Sequence, residues 1–186
     1  MDQAIRETGV RPKIKIVLGS HDGWTPYEEL DGEAETAEAA RTRSDDLLFC
    51  FFTSGTTGLP KKVGHTVVSY PLGHLSTTIL TGIRPDDIHH NLSAPGWAKW
   101  SWSSFFAPFN VGATATGFNF SVLDGPKYLE ALSRHKVSTF CAPPTAWRMF
   151  INLDISRYDL SCLRQSIGAG EPLNPEVISR WKQHTG

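Results

Sequence analysis

Thr53-Ser54-Gly55-Thr56-Thr57-Gly58-Leu59-Pro60-Lys61 follows directly on the apolar run Leu47-Leu48-Phe49-Cys50-Phe51-Phe52. An apolar run of this length closed by glycine reads as a buried strand ending in a loop. Gly55 and Gly58 can take positive φ, so successive backbone N–H groups can converge on one point. The hydroxyls of Thr53, Ser54, Thr56 and Thr57 add donors, and Lys61 adds a point charge. That concavity suits a polyphosphate. It is not the P-loop of nucleotide hydrolases, which needs Gly, four residues, then Gly-Lys-Ser/Thr; the fifth residue after Gly55 is Pro60.

Working outward, Lys62 to His65 returns as a short strand, which makes the loop the turn of a hairpin. From Thr66 to about Thr81, Val68, Leu72, Leu75 and Ile79 recur at helical spacing and predict a helix with an apolar stripe, despite Pro71. Strand and helix signals then alternate. Asp87 to Leu92 predicts a strand leading into Ser93-Ala94-Pro95-Gly96-Trp97, and Trp100 to Phe109 predicts a helix whose aromatic residues form a core face. Further strands are expected at Ala113 to Thr116, Val137 to Ala142 and Cys162 to Ile167, with helices at Tyr128 to His135, Thr145 to Asn152 and Pro175 to Thr185. The fold class is therefore α/β: a largely parallel, mixed sheet flanked by helices on both faces. In such sheets ligands sit at the carboxyl ends of the strands. Three loops occupy that edge: Gly96-Trp97, Ala142-Pro143-Pro144-Thr145 and Gly168-Ala169-Gly170-Glu171-Pro172.

Upstream, residues 1–46 read as a lead-in: a helix stopped by Gly9, a strand at Ile14 to Leu18 closed by Gly19, and a polar, partly helical connector from Trp24 to Arg43. Residues 47–186 form the core carrying the phosphate loop. Composition narrows the function. A chain of 186 residues, 40% of them hydrophobic, can bury a substantial core, and its net charge of −1 with interspersed signs offers no field for nucleic acid. Cys50, Cys141 and Cys162 are widely spaced, and the first two sit in apolar runs, as buried free thiols in a reducing compartment would. No apolar signal region and no membrane-spanning stretch are present, so the expected location is cytoplasmic. His65 sits close to the loop and could order it. His89 and His90, adjacent on one strand, face opposite sides, and no Cys/His spacing resembles a zinc site. No nucleophile elbow or catalytic triad is apparent.

The phosphate loop resembles the signature of the adenylate-forming enzymes, the AMP-binding superfamily of acyl-CoA synthetases, luciferases and peptide-synthetase adenylation domains. Gly170-Glu171-Pro172 resembles the segment lining the adenine and ribose side of the nucleotide site in acetyl-CoA synthetase-like members. Pro95-Gly96-Trp97 resembles the Gly-Trp segment that opens their carboxylate pocket, which places Trp97, Ala98 and Lys99 beside the acyl group. Lys99 departs from the apolar wall expected against an alkyl chain; it either points away or pairs with a polar substrate. The resemblance implies ATP, Mg²⁺ and coenzyme A as co-substrates and cofactors, with the metal held by the nucleotide and Thr56 a candidate neighbour. A carboxylic or fatty acid would be activated as an acyl-adenylate and passed to coenzyme A. Lys61 would stabilise phosphate charge, and the nucleotide would be held by residues 53–58, Lys61 and Gly170, Glu171 and Pro172.

The family's downstream aromatic-Gly-x-Thr-Glu segment, ribose-binding aspartate, hinge and C-terminal lysine domain are not found in these residues. The chain is accordingly expected to correspond to the central part of the large N-terminal domain, to be inactive alone, and to retain weak nucleotide affinity. Exposed sheet edges make homodimerisation an expectation as well. The alternative reading is a non-catalytic nucleotide-binding or interaction module, or a piece of another adenylating enzyme such as a peptide-synthetase adenylation domain.

Overall fold

The computed structural model describes residues 1–34, 36–54, 58–120 and 122–186. It divides into two compact units, Met1–Arg41 and Thr42–Gly186. In the first, helix α1 (Asp2–Thr8) stops at Gly9, whose φ of 68° is left-handed and whose N–H returns to the Ile5 carbonyl. Strands β1 (Ile16–Val17) and β2 (Thr25–Pro26) pair in parallel, and a 3₁₀ turn covers Tyr27–Gly32. None of the described residues of this unit is fully buried. Polar contacts tie it together: the Asp2 carboxylate accepts from Trp24 Nε1 at 2.9 Å and meets His21 Nε2 at 2.6 Å.

The second unit opens with the expected hairpin. Strand β3 (Leu47–Thr53) pairs antiparallel with β4 (Lys61–Thr66), Thr53 lying opposite Lys61. The strand is not buried as its apolar run suggested. The hairpin is a sheet of its own with one covered face, so Phe49 and Phe51 pack towards Tyr70 while Phe52 is 71% exposed. Cys50 is correspondingly only half-buried, against the expectation of a buried thiol, and Cys162 is exposed.

Helix α2 (Ser69–Thr81) places Pro71 in the first turn, where its missing N–H removes no helical bond, and ends at Gly82 with φ 66°. Its orientation corrects the expected apolar stripe. Tyr70, Thr78 and Thr81 are buried, whereas Val68, Leu72, Leu75 and Ile79 face outwards. The reason is close packing: Thr78 Oγ1 donates to the Ala107 carbonyl at 2.9 Å, a contact a bulkier aliphatic side chain would block.

Strand β5 (Ile88–Asn91) leads to a helix in three pieces: α3 (Ala98–Ser101), a π turn over Trp102–Phe106 and α4 (Ala107–Phe109). Pro108 has no N–H for the Ser104 carbonyl, and the Ala107 N–H bonds five residues back to Trp102. The wider turn rotates the face. Ser103, Ala107 and Pro108 are buried, Trp100, Trp102 and Phe106 are half-buried, and Phe105 and Phe109 are exposed, so the aromatic core face expected here is largely displaced.

After β6 (Thr114–Thr116), helix α5 (Gly125–Arg134), strand β7 (Thr139–Ala142), helix α6 (Pro144–Phe150), strand β8 (Gln165–Gly168) and helix α7 (Pro175–Thr185) complete the unit. The four strands form one parallel sheet in the order β6-β5-β7-β8, and all four residues of β7 are buried. Phe140 and Ala142 face a core built with Leu129, Leu132, Trp147, Phe150 and Trp181 from α5, α6 and α7. Full burial of such side chains contributes about 1.5–3 kcal/mol each. Thr139 and Cys141 face the opposite side, towards His89 and Ser103. At the amino edge, the buried Asp87 carboxylate accepts from the Arg84 N–H at 2.7 Å and Ser138 Oγ at 2.8 Å, and pairs with Arg164. Burial raises the Asp87 pKa, but these donors and the Arg164 charge outweigh it and hold the carboxyl below the usual range.

Candidate active site

The carboxyl ends of β5, β7 and β8 carry the three loops singled out in the sequence, and the structure brings them together. Trp97 and Lys99 from the first, Pro143 and Pro144 from the second, and Gly170 and Glu171 from the third surround a cavity of about 450 Å³. Leu92 and Ala94 complete its apolar wall.

Local structure explains each position. Trp97 is extended at the N-cap of α3 and 71% exposed, standing at the rim. Ala98 begins the helix; its carbonyl accepts from Tyr70 Oη at 3.4 Å, which anchors this turn to α2, and the residue does not itself line the cavity. Lys99 is half-buried and donates from Nζ to the Ala169 carbonyl at 3.3 Å. It thus joins the first loop to the third. Burial lowers the Lys99 pKa, partly offset by the neighbouring Cys141 thiol; burial likewise raises that of Cys141, offset in part by Lys99 and Ser103.

Gly170 has φ 116°, a conformation that L side chains rarely adopt, and space is open where a Cβ would stand. Its backbone can therefore lie flat against a planar ligand. Glu171 is exposed and lies 3.9 Å from Arg148, and Pro172 is exposed without lining the cavity.

The hairpin carries the remaining candidates. Thr53 closes β3 and its Oγ1 reaches the Lys61 carbonyl at 3.5 Å; Ser54 is exposed; Gly58 has φ 98°, the positive value anticipated for it. Gly55, Thr56 and Thr57 lie outside the described residues. Lys61 is the first residue of β4, exposed, and forms no ion pair among the described residues. None of the described hairpin residues lines the cavity. His65 packs its ring on Phe51 and Tyr70, with centroids 5.8 and 5.0 Å away.

Beneath Lys99 runs a polar row that sequence reasoning missed. His89 shares hydrogen bonds with Thr139 Oγ1 at 2.8 Å and Ser103 Oγ at 3.2 Å, and Ser103 adjoins Cys141. The alternation of β7 was the available signal, since it puts Cys141 on the same face as Thr139. Among the described residues no group of three His, Cys, Asp or Glu side chains could hold a metal ion.

Residues 1–186 match the family model described as AMP-binding enzyme. The chain belongs to the AMP-binding enzyme family. It is 49% identical over 168 residues to 4-hydroxybutyrate–CoA ligase 1 of Metallosphaera sedula, covering 90% of this chain and 29% of that protein. It is 37% identical over 176 residues to a mitochondrial acyl-coenzyme A synthetase of Rattus norvegicus, covering 92% and 30% respectively. The chain therefore spans about 30% of the length of these relatives. Among solved structures, the anthranilate CoA ligase AuaEII in complex with anthranoyl-AMP superposes with a TM-score of 0.84 at 28% identity, over 99% of this chain and 36% of that one. A luciferase-like enzyme from Zophobas morio, at TM-score 0.79 and 22% identity over 98% of this chain and 42% of that one, shares the fold. The family member is an α/β structure of the adenylate-forming class, with a parallel sheet flanked by helices.

Proposed function

We propose that this family member contributes the nucleotide and carboxylate side of an ATP-dependent carboxylate–CoA ligase. The supporting observation is the convergence of Trp97 and Lys99 with Gly170 and Glu171 around one cavity at the carboxyl edge of the sheet. In this reading a carboxylate oxygen attacks the α-phosphorus of ATP, the bond to the bridging oxygen breaks, and pyrophosphate leaves. The thiol of coenzyme A then attacks the acyl carbon of the adenylate, loses its proton and displaces AMP. The name of one relative, a 4-hydroxybutyrate–CoA ligase, supports a short acid, and that of the other, an acyl-coenzyme A synthetase, supports an acyl group without specifying its length.

The protein's share is positioning and charge stabilisation. Gly170 lets the backbone lie against the purine, with Glu171 continuing that wall and Pro172 standing outside it. Trp97 opens the carboxylate side, and Ala98, off the cavity surface, anchors that turn through its carbonyl. Residues 53–58 cradle the β- and γ-phosphates, and Lys61 offsets their charge. Mg²⁺ bound with ATP would neutralise phosphate charge further. The nucleotide's phosphate oxygens would hold it, with Thr56, which lies outside the described residues, as a candidate neighbour.

Calorimetric titration with ATP and with AMP tests the assignment. Lys61→Ala should weaken ATP binding about tenfold or more, the scale of a lost charged contact, while leaving AMP binding little changed. Failure of the chain to bind either nucleotide, or an equal loss for both, would overturn the role given to the loop.

A further inference from the structure

We propose that α2 carries a self-pairing surface: two copies of this chain associate across a twofold axis, with the outer faces of their α2 helices packed antiparallel. The occupant of the face is a second copy, and a helix rather than a sheet edge makes the contact.

The outer face of α2 differs from the solvated face of a surface helix, which is charged or polar. From Ser69 to Thr81 there is no Asp, Glu, Lys or Arg, and the core side is filled by Tyr70, Thr78 and Thr81. Val68, at the N-cap, and Leu72, Leu75 and Ile79 nevertheless meet water, Leu72 at 58% and Ile79 at 81% exposure. Helix α4 flanks them. Thr78 Oγ1 donates to the Ala107 carbonyl and Asn110 Nδ2 to the Pro71 carbonyl at 3.0 Å, one position from Ile79 and Leu72 respectively. The exposed rings of Phe105 and Phe109, edge to face at 4.8 Å, widen the apolar patch.

The pattern of the stripe specifies its partner. Its intervals are four, three and four, the spacing of a two-helix seam, and they are the same read from either end. The chemistry is also symmetric: β-branched, Leu, Leu, β-branched. In an antiparallel pair Val68 of one copy meets Ile79 of the other and Leu72 meets Leu75, each contact occurring twice, as an isologous interface requires. An unrelated partner would impose no such symmetry. Gly73 and Ser76 beside the stripe let two helix axes approach closely, and the Ser76 hydroxyl already donates to the Gly73 carbonyl at 2.7 Å, so burying it leaves no donor unpaired. A net charge of −1 per chain sets little repulsion between copies.

The area is sufficient. Taken at about 200 Å² for a large apolar side chain, the exposed fractions of these six side chains leave roughly 600 Å² per copy, so a pair buries about 1,200 Å², the lower end of stable specific interfaces.

Sedimentation of the 186-residue chain over a range of concentrations tests the proposal. The mass should rise from 20.6 kDa to twice that value and stop there. Leu72→Glu and Ile79→Glu should each weaken association about tenfold or more, since a carboxylate would then be buried unpaired. Ile178→Glu, which alters an exposed apolar residue of α7, should leave it unchanged. In the single chain the stripe faces water, so unfolding at dilutions where the chain is monomeric should match wild type in all three variants; this separates lost pairing from lost folding.

The register is tested by disulfide formation in a Cys162→Ser background, because Cys162 is exposed. Chains with Leu72→Cys mixed with chains with Leu75→Cys should cross-link faster than either variant alone. Faster linking within each variant would place the helices parallel and overturn the twofold pairing. A single-chain mass at every concentration, a dimer that survives both α2 substitutions, or open-ended growth that all variants share would overturn the interface itself.

Discussion

His89 and His90 show how much one pair of adjacent residues can carry. The expectation that they face opposite sides holds: His89 reaches Thr139 and Ser103, while His90 stacks 4.0 Å from Phe118 and lies beside Tyr128 and Phe140. Their near-complete burial, at 1% and 2% exposure, was not legible, because alternation gives sides and not what covers them. Burial is also the main reason that both pKa values fall to about 4, with the Ser103 and Thr116 contacts opposing it. The folded values lie below the ordinary histidine value of 6.5, so both rings are neutral at pH 7. Stability from these neutral rings is full above about pH 6.5 and is lost as the pH falls towards about 4. His90 Nδ1 bonds the Thr116 carbonyl at 3.1 Å, which only accepts, so that nitrogen carries the proton. Its Nε2 has no partner among the described residues. His90→Phe should therefore reduce the stability lost between pH 7 and pH 5, with His89 and His74 supplying part of what remains. Urea unfolding at the two pH values measures this, and an unchanged pH dependence would refute it.

At the scale of elements, the α-helices and strands described in the second unit lie where hydrophobic periodicity and glycine stops put them, give or take a turn, whereas the 3₁₀ turn at Ile155–Arg157 was not foreseen. Which face each one buries was harder to read. The apolar stripe of α2 looks outwards because the inner face touches α4 so closely that Thr78 suits it better than isoleucine. The helix from Ala98 to Phe109 turns its aromatics partly aside because Pro108 imposes a π turn. Both effects depend on the neighbouring element and are invisible in a single helix's periodicity. The energetic consequence runs against composition. Thr78→Val should cost about 1 kcal/mol by removing the one hydroxyl proton that the Ala107 and His74 carbonyls share. Ile79→Lys should change stability by less than about 0.5 kcal/mol, as surface substitutions do. Chemical denaturation of both variants decides the matter; the reverse order would mean that the stripe is covered.

For the molecule as a whole, the three edge loops were legible because a parallel sheet sends its functional loops to one side. The bridge from Lys99 to Ala169 was not, since it joins residues 70 positions apart. Nor could the sequence weigh the two units. Met1–Arg41 has no fully buried residue among those described, whereas the unit from Thr42 to Gly186 holds the aromatic and aliphatic core. Limited proteolysis should accordingly cut first between Gly32 and Asp46 and leave a resistant fragment of nearly the second unit, as expected where few buried contacts oppose local opening. Mass spectrometry of the early products is the measurement, and initial cleavage within β5, β7 or α5 would contradict the expectation.

Trp97 has a spectroscopic consequence. Its indole stands in water at the cavity rim, whereas those of Trp147 and Trp181 are buried with centroids 4.9 Å apart. Of the six tryptophans, collisional quenchers should reach Trp97 most, the half-buried Trp24, Trp100 and Trp102 less, and Trp147 and Trp181 least. The chain thus carries an optical label at the rim of this cavity, and a ligand entering it should show as shielding of a native fluorophore, with no dye attached.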